Sequence, residues 1–185
     1  MNARPLENKK RGAAPMPPGI DSDAVAKIAG SLTALLADFF ALYIKTKNFH
    51  WHVSGSHFRD YHLLFDEQSE ELLETTDAVA EHVRKIGGVT LHSVGEIARL
   101  QRISDNDSEA VTASHMLAEL CEGNSQLVAW LRGAHTLCEE HGDVASTSLI
   151  ENWIDEAERR IWFLYEATRV DVESYGGPGY GLQNG

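Results

Sequence analysis

The chain has 185 residues, of which 43% are hydrophobic, and its formal net charge is −12 at pH 7. This length and apolar content suit one domain with a single core. No apolar run approaches the 18 or more residues that would span a bilayer, and the N-terminus is polar. We therefore expect a cytoplasmic protein without a signal peptide or a membrane span.

Both ends of the chain differ in composition from the middle. Residues 1–20 hold four prolines without hydrophobic periodicity, and residues 173–185 are rich in glycine and carry no charge from Ser174 onward. These patterns predict a flexible basic tail, one folded domain over residues 21–172, and a second flexible tail.

The folded part begins with two long predicted helices. Ile28, Leu32, Leu35, Phe39 and Leu42 keep a helical spacing, which predicts a helix over residues 22–52 that is capped by Asp21 or Ser22. Ser54-Gly55-Ser56 breaks it. A second helix is predicted over residues 57–86, and it ends at Gly87-Gly88.

Three further helices are predicted in the second half. A short one covers residues 92–100, and Asp105-Asn106-Asp107-Ser108 is expected to cap a third long helix. Gly142 separates that helix from a fourth over residues 143–171. Four long helices with a long connection between the second and third predict an all-α four-helix bundle.

The second helix carries side chains that bind metals. His62 and Asp66 are four residues apart, as are Asp77 and Glu81, so each pair lies on one helical face. At about 1.5 Å rise per residue, Asp66 and Asp77 are roughly 16 Å apart along the helix axis while differing by only about 20° around it. Two half-sites on one face that cannot share an ion require a second copy of the chain.

Glu70 and Glu74 extend this face into an acidic stripe. Like charges four residues apart cost a helix roughly 0.2–0.5 kcal/mol per pair, and bound cations would relieve that cost. The alternative is an ordinary solvated acidic face, which accounts for the glutamates as well as a metal site does but leaves the histidines unexplained.

The ligand types narrow the choice of metal. Imidazole and carboxylate without a nearby thiolate suit iron, manganese or zinc. Di-iron proteins that build their site inside one bundle use Glu-x-x-His pairs, and no histidine in this chain has an acidic residue three positions before it. This absence argues against a di-iron site inside the bundle.

Several segments resemble the signature of the Dps family, the miniferritins or DNA-binding proteins from starved cells. They are His50-Trp51-His52-Val53-Ser54-Gly55-Ser56-His57-Phe58, Tyr61-His62-Leu63-Leu64-Phe65-Asp66-Glu67, Asp77-Ala78-Val79-Ala80-Glu81-His82 and Gly87-Gly88. The resemblance extends, with weaker motifs, from about Asp21 to Arg169. It implies a ferritin-like four-helix bundle with a short extra helix in the connection between helices 2 and 3.

The resemblance also implies a site and a reaction. The ferroxidase ligands of the Dps family correspond to His50, His62 and Asp66 of one subunit and to Asp77 and Glu81 of a two-fold-related subunit. Fe(II) pairs bound there, with zinc as a possible substitute, would be oxidised by hydrogen peroxide or dioxygen. Trp51 would be a redox-active ring beside the iron, although an interface aromatic explains it equally well.

The same resemblance implies a hollow dodecamer of two-fold dimers that stores Fe(III) mineral and protects DNA. Glu70 and Glu74 are candidates for nucleating mineral on the inner wall. Asp143, Glu151 and Asp155 are candidates for the iron-entry pore, while Asp143 could equally be an ordinary first-turn acid that complements the helix dipole.

The distribution of charge along the sequence bears on DNA binding. Residues 1–20 carry Arg4, Lys9, Lys10 and Arg11 against Glu7, a net charge of +3, whereas the remaining 12 basic and 27 acidic residues give −15. An acidic surface repels phosphates, so any DNA contact should use the tail. The alternatives to a ferroxidase are a nucleoid-binding protein with a secondary metal site and a structural metal-bridged oligomer.

Overall fold

The computed structural model describes residues 19–169, and over that range it contains five helices and no strand. The helices are α1 (Ser22–His52), α2 (Phe58–Lys85), α3 (Val94–Leu100), α4 (Ala113–Glu140) and α5 (Val144–Thr168). The predicted all-α four-helix architecture is confirmed, with α3 in the connection between the second and third long helices. The tail residues 1–18 and 170–185 lie outside the described range, so the predictions made for them remain predictions.

Two helical hairpins make up the bundle. α1 packs along α2, α4 packs along α5, and α1 joins the hairpins by also contacting α4. Each long helix contributes an apolar stripe to one core, because leucine, isoleucine and phenylalanine recur at helical spacing on its inner side. The core is formed by the buried side chains of Ile28, Leu32, Leu35, Phe39, Leu42, Phe65, Leu72, Val79, Leu120, Leu127, Leu131, Ile150, Ala157 and Leu164.

The apolar stripe of α1 corrects the expectation about membrane spans. An 18-residue window within Ser22–His52 has a mean hydropathy of 1.6, so by length and composition α1 could cross a membrane. Slightly more than half of that window, 56%, is buried inside the bundle. The apolar residues of α1 thus include the core positions that pack against α2 and α4.

Glycines end α2 and α4 at the predicted positions. Gly87 and Gly142 adopt φ values of +91° and +68°, which side chains with a Cβ rarely tolerate. Beyond α2, Gly87 N–H donates to the Arg84 carbonyl and Gly88 N–H donates to the Val83 carbonyl, the bond pattern of a Schellman cap. A Cβ on Gly88 would lie 2.5 Å from the Cβ of Ala29, so this turn also needs glycine for space.

The connection between α2 and α4 is clamped onto α1. The buried carboxylate of Asp38 accepts a hydrogen bond from the Arg102 backbone N–H (2.6 Å) and two from its guanidinium, which also lies over the ring of Trp130. Lys45 donates to the Ser104 carbonyl and pairs with Glu119. The long crossover therefore lies against α1 instead of leaving the bundle.

The predicted cap of the third long helix is wrong. α4 begins at Ala113, and the Thr112 hydroxyl accepts its capping bond from His115 N–H. Asn106, one of the residues predicted to cap, instead bonds Ser108 N–H and Glu119 and so shapes the loop before the helix. Polar turn residues resemble caps in sequence because both accept backbone N–H bonds.

Candidate metal centre

Two histidines meet where α1 ends and α2 begins. The rings of His50 and His62 are stacked, with centroids 3.8 Å apart and planes inclined by 21°. His50 Nδ1 lies 2.8 Å from the His62 carbonyl oxygen, and His62 Nδ1 lies 2.9 Å from the His50 carbonyl oxygen. The two residues therefore hold each other through a reciprocal pair of hydrogen bonds.

These bonds determine which ring nitrogens are free. A carbonyl oxygen can only accept, so Nδ1 of each imidazole carries the proton that is donated. In the neutral ring, Nε2 then keeps its lone pair and can bind a metal. Metal-binding histidines commonly donate their other ring N–H to a carbonyl or carboxylate, which orients the ring and makes the ligand more basic. His50 and His62 already have this arrangement.

Asp66 completes a three-residue cluster. Its Oδ1 atom is 3.7 Å from Nε2 of His50, and the Lys47 ammonium from α1 binds the same oxygen. This lysine bond is the largest reason why the pKa of Asp66 is lowered, with further help from the neighbouring histidines and lysine against some desolvation. Asp66 is therefore a carboxylate that already faces a cation.

The donor set fits the metals that the sequence predicted. Two imidazole nitrogens and one carboxylate suit iron, with zinc as a substitute, and the cluster lies at the surface, where further ligands could approach. Within residues 19–169, no group of three or more histidine, cysteine or acidic side chains is already arranged to hold a metal ion by itself. The three side chains therefore do not complete a metal site within one chain.

Asp77 and Glu81, the other predicted ligands, lie further along α2 and point to solvent. The Glu81 carboxylate is 62% exposed and pairs with Lys85 at 3.4 Å. The structure does not bring either of them to His50, which agrees with the roughly 16 Å separation expected from helix rise. Within one chain they lie apart from the histidine cluster.

Exposed apolar side chains lie next to residues of the histidine cluster, in space or in the sequence. Phe58 lies 5.0 Å from the His62 ring, centroid to centroid, and is 46% exposed, and Leu63 is 41% exposed. Trp51, the predicted redox partner, is 62% exposed and adjoins His50 in the chain. Several large apolar groups left in water around polar ligands are typical of a surface that another protein covers.

The three pore candidates have different surroundings. Asp143 is 3% exposed and caps α5, accepting hydrogen bonds from Ser146 N–H (3.1 Å) and the Ser146 hydroxyl (2.5 Å). Asp143 is therefore the N-cap of α5 and not a first-turn residue of that helix. Glu151 is exposed and pairs with His135 at 3.1 Å, and Asp155 is exposed.

Lys47 was missed by the sequence analysis. It lies three residues before His50 and so shares a face of α1 with it. A search for charged residues on the same helical face as His50 would have found Lys47. Its contact with Asp66, however, depends on how α1 and α2 pack.

Fold and site together define a ferritin-like helical protein whose histidine–carboxylate cluster has the donor types of a metal site. A model of the ferritin-like domain matches residues 30–170, and Dps proteins are among the solved structures that resemble the chain. The chain therefore belongs to the Dps family within the ferritin-like proteins.

Individual relatives agree with this assignment. An uncharacterized low temperature-induced protein of Nostoc sp. is 31% identical over 147 residues, which cover 79% of this chain and 82% of that protein. DpsC from Streptomyces coelicolor has a TM-score of 0.82 at 26% identity, covering 86% of this chain and 93% of that chain. The Dps protein of Vibrio cholerae O1, described as a member of a broad superfamily of ferritin-like diiron-carboxylate proteins, has a TM-score of 0.79 at 25% identity, covering 86% and 100%.

Proposed function

We propose that this protein is a ferroxidase that oxidises Fe(II) with hydrogen peroxide, or more slowly with dioxygen, and stores the Fe(III) product. Membership of the ferritin-like Dps family supports iron storage and ferroxidase chemistry in general. The observation that carries the proposal is the His50–His62 pair, because two imidazoles with oriented, free Nε2 atoms lie beside the ionised Asp66.

The complete site would form between two copies of the chain. Asp77 and Glu81 of a second subunit would face His50, His62 and Asp66 of the first, giving a symmetric dimer with two such sites. This arrangement would use the two half-sites that lie apart on one face of α2, and it would cover the exposed Trp51, Phe58 and Leu63. Trp51 would then lie beside the iron, where its ring could supply an electron.

The reaction needs two iron ions because hydrogen peroxide accepts two electrons. Each Fe(II) loses one electron, the O–O bond breaks, and two protons are taken up to form two water molecules. Paired transfer avoids the hydroxyl radical that one-electron reduction would release. The carboxylates of Asp66, Asp77 and Glu81 would stabilise the additional positive charge of Fe(III).

The storage part of the proposal concerns a larger assembly. Six dimers would form a hollow dodecamer with closed symmetry. The exposed Glu70 and Glu74 on α2 would nucleate mineral on its inner wall, and Glu151 and Asp155 remain candidates for an entry path. We place the protein in the cytoplasm, where mineral storage would protect DNA from oxidative damage.

Replacing His62 and Asp66 together with alanine tests this proposal. We expect loss of fast peroxide-driven Fe(II) oxidation, measured by stopped-flow absorbance, and a normal assembly size, because both residues lie outside the apolar core. His92→Ala with Glu96→Ala is a matched control, since His92 and Glu96 are another histidine–carboxylate pair four residues apart and outside the core. Unchanged oxidation by a correctly assembled double mutant would refute the assignment, and metal binding without oxidation would favour a structural metal bridge.

Mixing two inactive variants tests whether the site is shared. A His62/Asp66 variant and an Asp77/Glu81 variant should each be inactive alone, whereas a dimer that contains one of each has one intact composite site. We expect coexpression to restore part of the activity. If verified mixed dimers remain inactive, the shared site must be abandoned.

DNA binding through the N-terminal tail is the second candidate function. It is favoured by the separation of charge in the sequence, in which residues 1–20 are net positive and the remainder is strongly acidic. Several tails on one assembly would raise the effective concentration of Arg4, Lys9, Lys10 and Arg11 near phosphates. Deleting residues 1–15 should abolish gel retardation of DNA at low salt and leave iron oxidation intact. Retardation that survives the deletion would contradict this placement.

A further inference from the structure

Lys47 occupies the position of a cation at the proposed iron site. Its ammonium binds Asp66 Oδ1, the same carboxylate oxygen that lies 3.7 Å from His50 Nε2. The side chains of Lys47 and Asp66 are 19% and 37% exposed, so the ion pair lies at the rim of the site and not in the core. Asp66 is therefore already paired with one positive charge, that of Lys47, before any metal enters.

This charge affects a metal ion in two ways. The ammonium uses a lone pair of Asp66 Oδ1 that a metal would need, so the two cations compete for one oxygen. If the ammonium moves aside but stays nearby, it still repels the metal. That repulsion is proportional to the product of the charges, so it is half as large again for Fe(III) as for Fe(II).

Lysine is suited to such a role because of its flexible four-carbon side chain. Its ammonium is a point charge that can rotate away from a carboxylate without moving the helix, whereas a guanidinium tends to bind a carboxylate through a rigid two-point contact. Lys47 is also held by α1 on the same face as His50, so it stays within reach of the site after leaving Asp66.

We propose that Lys47 is a displaceable positioning residue that holds Asp66 in place before iron arrives, weakens the binding of Fe(II), and promotes the departure of Fe(III). This inference rests on the proposed ferroxidase site. With this role for Lys47, iron passes through the site and is not retained there.

Binding of Co(II) without any oxidant tests the inference directly. The d–d absorption of Co(II) reports coordination by nitrogen and oxygen ligands and does not depend on turnover. Replacing Lys47 with methionine should tighten Co(II) binding by about 10-fold or more, the effect expected from removing a like charge in direct contact with a ligand. Lys47→Arg keeps the charge and should not tighten binding.

Lys27→Met is the matched control, because Lys27 is an exposed lysine near the other end of α1. It should leave Co(II) affinity unchanged. A second consequence concerns Fe(III): after one round of peroxide oxidation, the Lys47→Met variant should regain its Fe(II) binding capacity more slowly than the unmodified protein. Lys47→Gln should behave like Lys47→Met, and it replaces that variant if the methionine variant fails to assemble.

The outcomes separate the two proposals. If Asp66→Asn does not weaken Co(II) binding in this assay, the proposed iron site itself is wrong and the inference falls with it. If Asp66→Asn weakens binding but Lys47→Met and Lys47→Gln leave it unchanged or weaker, the site stands and the role given to Lys47 is overturned.

Discussion

Two clusters of charged and polar side chains in this protein have opposite surroundings. One lies inside the bundle, where Arg160 of α5 is 2% exposed. Its Nε donates to Asn124 of α4 and its Nη1 lies 3.6 Å from Glu71 of α2, while Gln68 donates to its carbonyl oxygen. The other cluster is the His50, His62, Asp66 and Lys47 group on the open face.

The comparison shows how burial separates structural from functional polar groups. Arg160 cannot regain water if its partners are lost, so it depends on Asn124 and on the partly exposed Glu71, and burial lowers the pKa of Arg160 despite the opposing charges of Glu71 and Glu156. In the other cluster, the Lys47–Asp66 pair is partly hydrated, which our proposal that the lysine is displaced requires. The buried arginine links α2, α4 and α5, whereas the Lys47–Asp66 pair links only α1 and α2.

Replacing Arg160 with methionine should cause the largest loss of stability. Glu71 would keep its contact with Arg159 but lose its buried neighbour, and we expect the free energy of unfolding to fall by about 3 kcal/mol. Urea unfolding at fixed subunit concentration measures this. Arg159→Met is the control, because its side chain is 50% exposed, and it should cost less than about 1 kcal/mol. Equal costs for the two variants would contradict the contrast between buried and exposed pairs.

His82 is a third polar group, buried but titratable. Its replacement should change the stability by an intermediate amount that depends on pH. His82 of α2 is 6% exposed and lies 2.7 Å from the Ser146 hydroxyl, which donates to Asp143 at the start of α5. Burial lowers the pKa of His82, although the charge of Asp143 opposes this. The unfolded chain therefore takes up the proton at a higher pH than the folded chain does.

The sign of the pH dependence follows from that difference. The contribution of neutral His82 is complete above the ordinary imidazole pKa of about 6.5 and is lost progressively as pH falls from there toward the lowered pKa of the folded protein. His82→Gln should reduce the loss of thermal stability between about pH 7.5 and pH 5, because it removes the titration. His92→Gln, at an exposed position, should leave the pH profile as it is, and identical profiles for all three proteins would exclude this role for His82.

Asp66→Asn should have the smallest effect on stability. Its side chain is 37% exposed and its contacts are with a flexible lysine and a histidine edge, so the free energy of unfolding should change by less than about 1 kcal/mol. Thermal unfolding without metal measures the change. A loss as large as that of Arg160→Met would mean that Asp66 serves the fold and would weaken the contrast between the two clusters.

Local patterns in the sequence were sufficient to predict the helices and to place His62 and Asp66 on one helical face. The stops at Gly87 and Gly142 were correctly predicted because a positive φ is a property of the residue itself. The pairing of His62 with Asp66 on one face followed from helix periodicity alone. The start of α4 was mispredicted, since several polar residues before Thr112 had equal capping potential and only the packing of the connection against α1 distinguished them.

The sequence by itself determined an all-helical bundle and two groups of candidate ligands that cannot meet within one chain, because both results depend on rise and rotation along single helices. Only the tertiary structure showed that His50 and His62 bind each other's carbonyl oxygens and that Lys47 pairs with Asp66. Both contacts depend on the distance and angle between α1 and α2. They join atoms on different helices, and no periodicity within one helix encodes them.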